Sequence, residues 1–60
     1  MTRQPIRYSI AREVAEMARD AGDAHIMSSA FRCIHAWGLC RKAPAADWAL
    51  VREIYEEMRL

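Results

Sequence analysis

The chain contains few residues that interrupt helices. It has two glycines and two prolines among 60 residues, whereas eleven residues are alanine. Alanine loses the least free energy on entering a helix, and glycine and proline lose the most. No segment alternates apolar and polar residues with the period of two that is typical of a half-buried strand. The sequence therefore predicts an all-α fold.

A strong excess of charge of one sign is also missing. Nine basic and eight acidic residues give a formal net charge of +1. Small nucleic-acid-binding domains usually carry a clear positive excess, because phosphate neutralisation supplies much of their affinity. The composition therefore disfavours nucleic acid as the partner, although it leaves room for a local basic patch. It favours association with a second copy or with another protein.

Long apolar runs are absent as well. No run approaches the roughly 20 residues of a membrane-spanning helix. The basic N-terminal residues are not followed by the apolar segment of a secretory signal. We therefore expect a cytoplasmic protein without a membrane partner, whose two cysteines are free thiols that pack as small apolar side chains.

The spacing of apolar residues predicts one domain, residues 1–60, with three helices over about 10–21, 24–38 and 45–59. Residues 1–8 are predicted as a flexible N-terminal arm, in which Pro5 either begins a helix or ends an extended segment. Ser9 is predicted to cap the first helix. Gly22 is expected to end that helix in a left-handed conformation, and Asp23 to cap the next one.

The sequence allows two interpretations of Gly38. Gly38 either ends the second helix or is tolerated inside it at a cost of about 1 kcal/mol. In the second case the helix reaches Arg41 and Lys42, whose charges suit a C-terminus. The helix must stop by Ala43, because the residue before a proline is biased away from helical geometry.

The second helix carries an apolar stripe that is wider than one neighbouring helix can cover. It consists of two adjoining seams, Ile26/Ala30/Cys33/Trp37 and Met27/Phe31/Ile34. Because so small a domain cannot bury all of its large apolar residues, we expect a homodimer or a protein partner. The predicted interface consists of Met27, Phe31, Ile34, Trp37, Trp48, Arg52 and Tyr55, with polar contacts from Arg32 and His35.

Nothing in the sequence predicts an enzyme, a cofactor or a metal site. The zinc-type ligands are His25, Cys33, His35 and Cys40. Cys33 and His35 would point about 200° apart on a helix, so they cannot share an ion. The nucleophile and phosphate-binding motifs that would indicate catalysis are also missing. We therefore expect a non-enzymatic protein with neither catalytic nor metal-ligating residues.

A DNA-binding helix-turn-helix is the main alternative. Ala18 and Gly22 have the spacing of the small residue and the turn glycine in that motif. The helix that would read the bases offers only Arg32 and two serines, and Asp20 and Asp23 would lie near the phosphates. Protein binding is therefore preferred over DNA binding.

The pattern of fixed residues resembles the small bacterial ANR and PerC-like transcriptional regulators. Over Tyr8–Tyr55 the chain has their alanine-rich first helix, Gly-Asp turn, aromatic-bearing second helix and W-x-x-x-R in the third. The residues that carry the resemblance are Gly22, Asp23, Trp48 and Arg52. The chain departs from the pattern at Phe31, where these proteins tend to have tryptophan, at Ala45 and Ala46, where asparagine is expected, and after Arg52, where cysteine is missing.

The resemblance implies a cytoplasmic dimer that controls transcription by contacting a regulator protein rather than by reading bases. Together with the apolar stripe, it predicts a small non-enzymatic regulator that acts by protein–protein binding. A phage or mobile-element inhibitor of a host protein would need only the same compact helical face, so it is a further alternative.

Overall fold

The computed structural model describes residues 6–59, which form three α-helices. They are α1 (Ile6–Ala21), α2 (Ala24–Gly38) and α3 (Ala45–Met58). The described residues contain no strand. The predicted all-α, three-helix fold is therefore confirmed. No helix within residues 6–59 has the length and apolar character needed to cross a membrane.

The first helix begins four residues before the predicted start. Residues 6–8, predicted as part of an arm, are helical, and Ser9 lies inside α1 instead of capping it. The prediction relied on the preference of serine for caps, but a serine inside a helix costs only about 0.5 kcal/mol relative to alanine. No glycine or proline lies between Ile6 and Ala21 to interrupt the helix. The two readings of Pro5 fall outside the described residues.

Gly22 and Asp23 form the predicted boundary between α1 and α2. Gly22 has φ +73°, and the N–H of Asp23 donates to the carbonyl of Ala18 at 2.8 Å. The Asp23 carboxylate accepts a hydrogen bond from the N–H of Ile26 at 3.1 Å. The left-handed glycine and the carboxylate thus satisfy backbone groups at the end of one helix and at the start of the next.

The second helix ends at Gly38, but this glycine does not supply the left-handed residue. Cys40 does, with φ 56°. Its N–H donates to the carbonyl of Trp37 at 3.0 Å, and the N–H of Arg41 donates to the carbonyl of Ala36 at 2.8 Å. This is the hydrogen-bond pattern of a Schellman motif with Cys40 at its centre. Of the two readings of Gly38, the one in which the helix continues to Arg41 and Lys42 is wrong.

Small side chains fill the space between the helices. Among the described residues, the fully buried side chains of largest volume are Val14, Val51, Cys33 and Ser29. The other buried residues are all alanine: Ala11, Ala15, Ala18 and Ala30. Such side chains let helices approach closely, so the larger apolar residues lie at the edges of the core. There Trp37 and Trp48 meet edge to face, with ring centroids 5.6 Å apart and an interplanar angle of 76°.

Candidate protein-binding surface

Phe31 is the most exposed aromatic residue of the predicted interface. It belongs to α2, and 52% of its surface is accessible. The two seams of α2 explain its position. Ala30 and Cys33 of the first seam are 0% exposed and belong to the core. The second seam lies beside the first on the helix, so its central residue, Phe31, faces away from the core.

The ring of Phe31 separates two surface grooves. The first, which we call the α1–α2 groove, has a volume of about 370 Å³. Arg12, Glu16 and Arg19 line it together with Tyr8, Ala15, Phe31 and Ile34. Its charges are of both signs, and its apolar part is formed by Tyr8, Phe31 and Ile34. This groove therefore offers aromatic and aliphatic contacts together with charged side chains of both signs.

The second groove lies between α2 and the segment that follows it. Its volume is about 600 Å³. Its apolar lining consists of Phe31, Ala36, Leu39 and Pro44, and its polar lining consists of Arg32, His35, Arg41 and Lys42. No acidic residue within 6–59 lines it. We call it the basic groove.

One guanidinium of the basic groove is bound within the molecule. Nε of Arg32 donates to Oδ2 of Asp47 at 2.7 Å, and Nη2 donates to Oδ1 at 2.9 Å. The Arg32 guanidinium lowers the pKa of Asp47 from its ordinary value, chiefly through these hydrogen bonds. The carboxylate likewise raises the pKa of Arg32. Because Nε and Nη2 of Arg32 are bonded to the Asp47 carboxylate, the positive charge that remains available to a ligand is mainly that of Arg41 and Lys42.

The structure separates the predicted interface residues into two sets. Phe31, Arg32, His35 and Arg52 are exposed, and the first three line the basic groove. The half-buried set consists of Met27, Ile34, Trp37, Trp48 and Tyr55. All of these except Met27 pack against the core. Of the predicted residues, Arg32, Ile34 and His35 line a groove together with Phe31. Met27, Arg52 and Tyr55 line neither groove, and the two tryptophans contact each other between α2 and α3.

The other half of the basic groove is formed by residues outside the predicted interface. Leu39 is 52% exposed, and Arg41, Lys42 and Pro44 follow it in the connection to α3. Their signal in the sequence is a pair of consecutive basic residues, Arg41 and Lys42, between Leu39 and Pro44. The same charges also suit a helix C-terminus, so they do not by themselves predict a groove.

The cysteines occupy different environments. Cys33 is buried, as predicted, and this burial raises the pKa of its thiol. Cys40 is a free thiol too, but it is exposed and does not pack as a small apolar residue. Within residues 6–59, no three or more His, Cys, Asp or Glu side chains are grouped so that they could hold a metal ion.

Comparisons with protein-family models, curated proteins and solved structures found no match for this chain.

Proposed function

We propose that this protein is a small non-enzymatic regulator that acts by binding another protein. The half-exposed ring of Phe31, placed between two grooves of α2, carries the proposal. Aromatic side chains next to pockets are enriched among the residues that contribute most to protein–protein affinity. We propose the α1–α2 groove as the partner's site, because its aromatic and aliphatic lining and mixed charges are typical of such interfaces.

The proposal includes the homodimer and the cytoplasmic location expected from the sequence. The resemblance to the ANR and PerC-like regulators favours a transcription regulator as the partner. A phage or mobile-element inhibitor would use the same surface, with a different host protein bound to it. The proposed role needs no cofactor, because a compact helical face is sufficient for it.

DNA binding is the second candidate, and the basic groove favours it. Arg41 and Lys42 are exposed there without an acidic neighbour in the lining. Two further observations weigh against it. Arg32 is bound to Asp47, and the formal net charge of the chain is only +1. Two strongly exposed cations offer few phosphate contacts for a specific complex.

Affinity capture from the native cell, followed by mass spectrometry, tests the proposal. Captured proteins are compared between the wild type, Phe31→Asp and Ala24→Asp, which places the same charge at an exposed site at the start of α2, outside both grooves. We expect a partner that is retained by the wild type and by Ala24→Asp but lost with Phe31→Asp. Titration of the purified partner should reproduce that order of affinity.

A binding assay with duplex DNA at two salt concentrations separates the two candidates. The proposed regulator should bind DNA weakly at both concentrations. Tight binding that falls steeply as salt rises is the signature of phosphate contacts. That result would overturn the protein-binding proposal.

A further inference from the structure

We infer that the basic groove is occupied by a second copy of this chain, which inserts the acidic side of its α3. The inference rests on the self-association proposed above, but it does not require the regulatory partner. In this dimer, two different surfaces of each copy contact each other across the symmetry axis. These are the basic groove, represented by Arg41 and Lys42, and the acidic strip of α3, represented by Glu53 and Glu57.

The charge of the groove specifies what can bind there. Its lining combines four apolar residues with Arg32, His35, Arg41 and Lys42 and contains no carboxylate. An occupant must therefore bring carboxylates for the rim and apolar atoms for the floor. The exposed ring of Phe31 and the exposed side chain of Leu39, each 52% accessible, form the apolar contact area.

The second half of α3 has this chemistry. Glu53 and Glu57 are exposed and lie one helical turn apart, on the same side of the helix. Arg52 lies on a different side of the helix, and Arg59 is held near Tyr55, with its guanidinium 5.4 Å from the ring centroid. Ala49, which is exposed, and Leu50, which is half-buried, precede Glu53 by four and three residues and add apolar surface on the same side of the helix.

The positions of the two surfaces along the chain allow a closed dimer. Pro44 of the groove immediately precedes α3, whereas Glu57 is near the other end of that helix. The 14 residues of α3 span about 21 Å at about 1.5 Å per residue. A two-fold axis across the middle of α3 would place the acidic strip of each copy at the groove of the other. The same contact would then form twice, as in an isologous dimer.

Charge exchange between the two surfaces tests this arrangement. One variant carries Arg41→Glu and Lys42→Glu, and a second carries Glu53→Lys and Glu57→Lys. Each alone places like charges at both contacts, so we expect its dimer dissociation constant to rise at least tenfold. An equimolar mixture of the two variants has opposite charges at both contacts, and we expect it to form a heterodimer. A chain with all four substitutions should dimerise with itself again.

Equilibrium sedimentation at low and high salt provides the measurement, and circular dichroism checks that each variant is folded. Arg12→Glu with Arg19→Glu makes the same change in net charge outside the basic groove, and it should leave the dimer intact. A monomeric wild type would overturn the self-association and this inference together. A wild-type dimer that survives either charge-reversed variant, or a mixture that does not associate, would overturn the inference alone.

Discussion

Removing the ring of Phe31 should cost less stability than removing two methyl groups from Val14. Phe31 is 52% exposed and Val14 is 0% exposed. Complete burial of a phenylalanine side chain contributes about 1.5–3 kcal/mol, so the part that Phe31 buries contributes roughly 1 kcal/mol. The higher helix propensity of alanine offsets about 0.5 kcal/mol of that loss. We therefore expect Phe31→Ala to lower the free energy of unfolding by about 0.5 kcal/mol.

Val14→Ala removes fewer atoms, but from a fully buried position. Two lost methyl groups cost about 1.6 kcal/mol in transfer free energy. The cavity that remains in the core adds to this cost. After an offset of about 0.5 kcal/mol for helix propensity, we expect a loss of about 2 kcal/mol. The order of the two costs is thus the reverse of the order of side-chain size.

Urea unfolding followed by far-ultraviolet circular dichroism measures both losses. The comparison should be made at low protein concentration, so that self-association contributes little to the apparent stability. Midpoints can be converted to free energies if the variants share one m-value. If Phe31→Ala lost as much stability as Val14→Ala, the ring would be a core residue. The exposed ring of Phe31 would then no longer support a binding surface on this side of α2.

Two further predictions concern the backbone and the ion pair. Gly22→Ala should destabilise the fold and Cys40→Gly should stabilise it, each by roughly 0.5–1 kcal/mol, because both positions are left-handed and strain a Cβ atom. Thermal unfolding gives the signs, and equal signs would contradict this reasoning. The Arg32 guanidinium, chiefly through its hydrogen bonds, holds the pKa of Asp47 below its ordinary value. The carboxylate therefore stabilises the fold above its ordinary pKa, and this contribution is lost as pH falls through the lowered value. Asp47→Asn should flatten the acid side of the stability–pH curve, and an unchanged curve would count against the ion pair.

The features that local chemistry determines could be predicted from the sequence. The boundary at Gly22 and Asp23 follows from the conformational freedom of glycine and the short carboxylate of aspartate, and neither depends on the rest of the fold. Helix α1 begins before the predicted cap Ser9, because a cap preference is weaker than an uninterrupted helical segment. Local chemistry thus predicts a boundary where a turn glycine and a capping carboxylate coincide, and not where a serine alone could cap.

The basic groove depends on information that the sequence does not display locally. The segment after α2, which carries Leu39, Arg41 and Lys42, forms one side of the groove. Its direction is set by the left-handed conformation of Cys40, which is uncommon for a residue other than glycine. The bond between Arg32 and Asp47 joins residues 15 positions apart. It forms only once α3 has packed beside α2. The apolar side of the groove, in contrast, follows from the width of the stripe on α2.

Phe31 lines both grooves, and this links the two proposals made for the molecule. A second copy in the basic groove would cover one side of the ring, and a protein partner in the α1–α2 groove would cover the other side. Loss of binding in Phe31→Asp therefore cannot by itself distinguish the partner's site from the dimer contact. The variant with Arg41→Glu and Lys42→Glu leaves the ring in place and changes only the basic groove. A partner that still binds this variant uses the α1–α2 groove, whereas a partner lost together with the dimer requires the paired form of the chain.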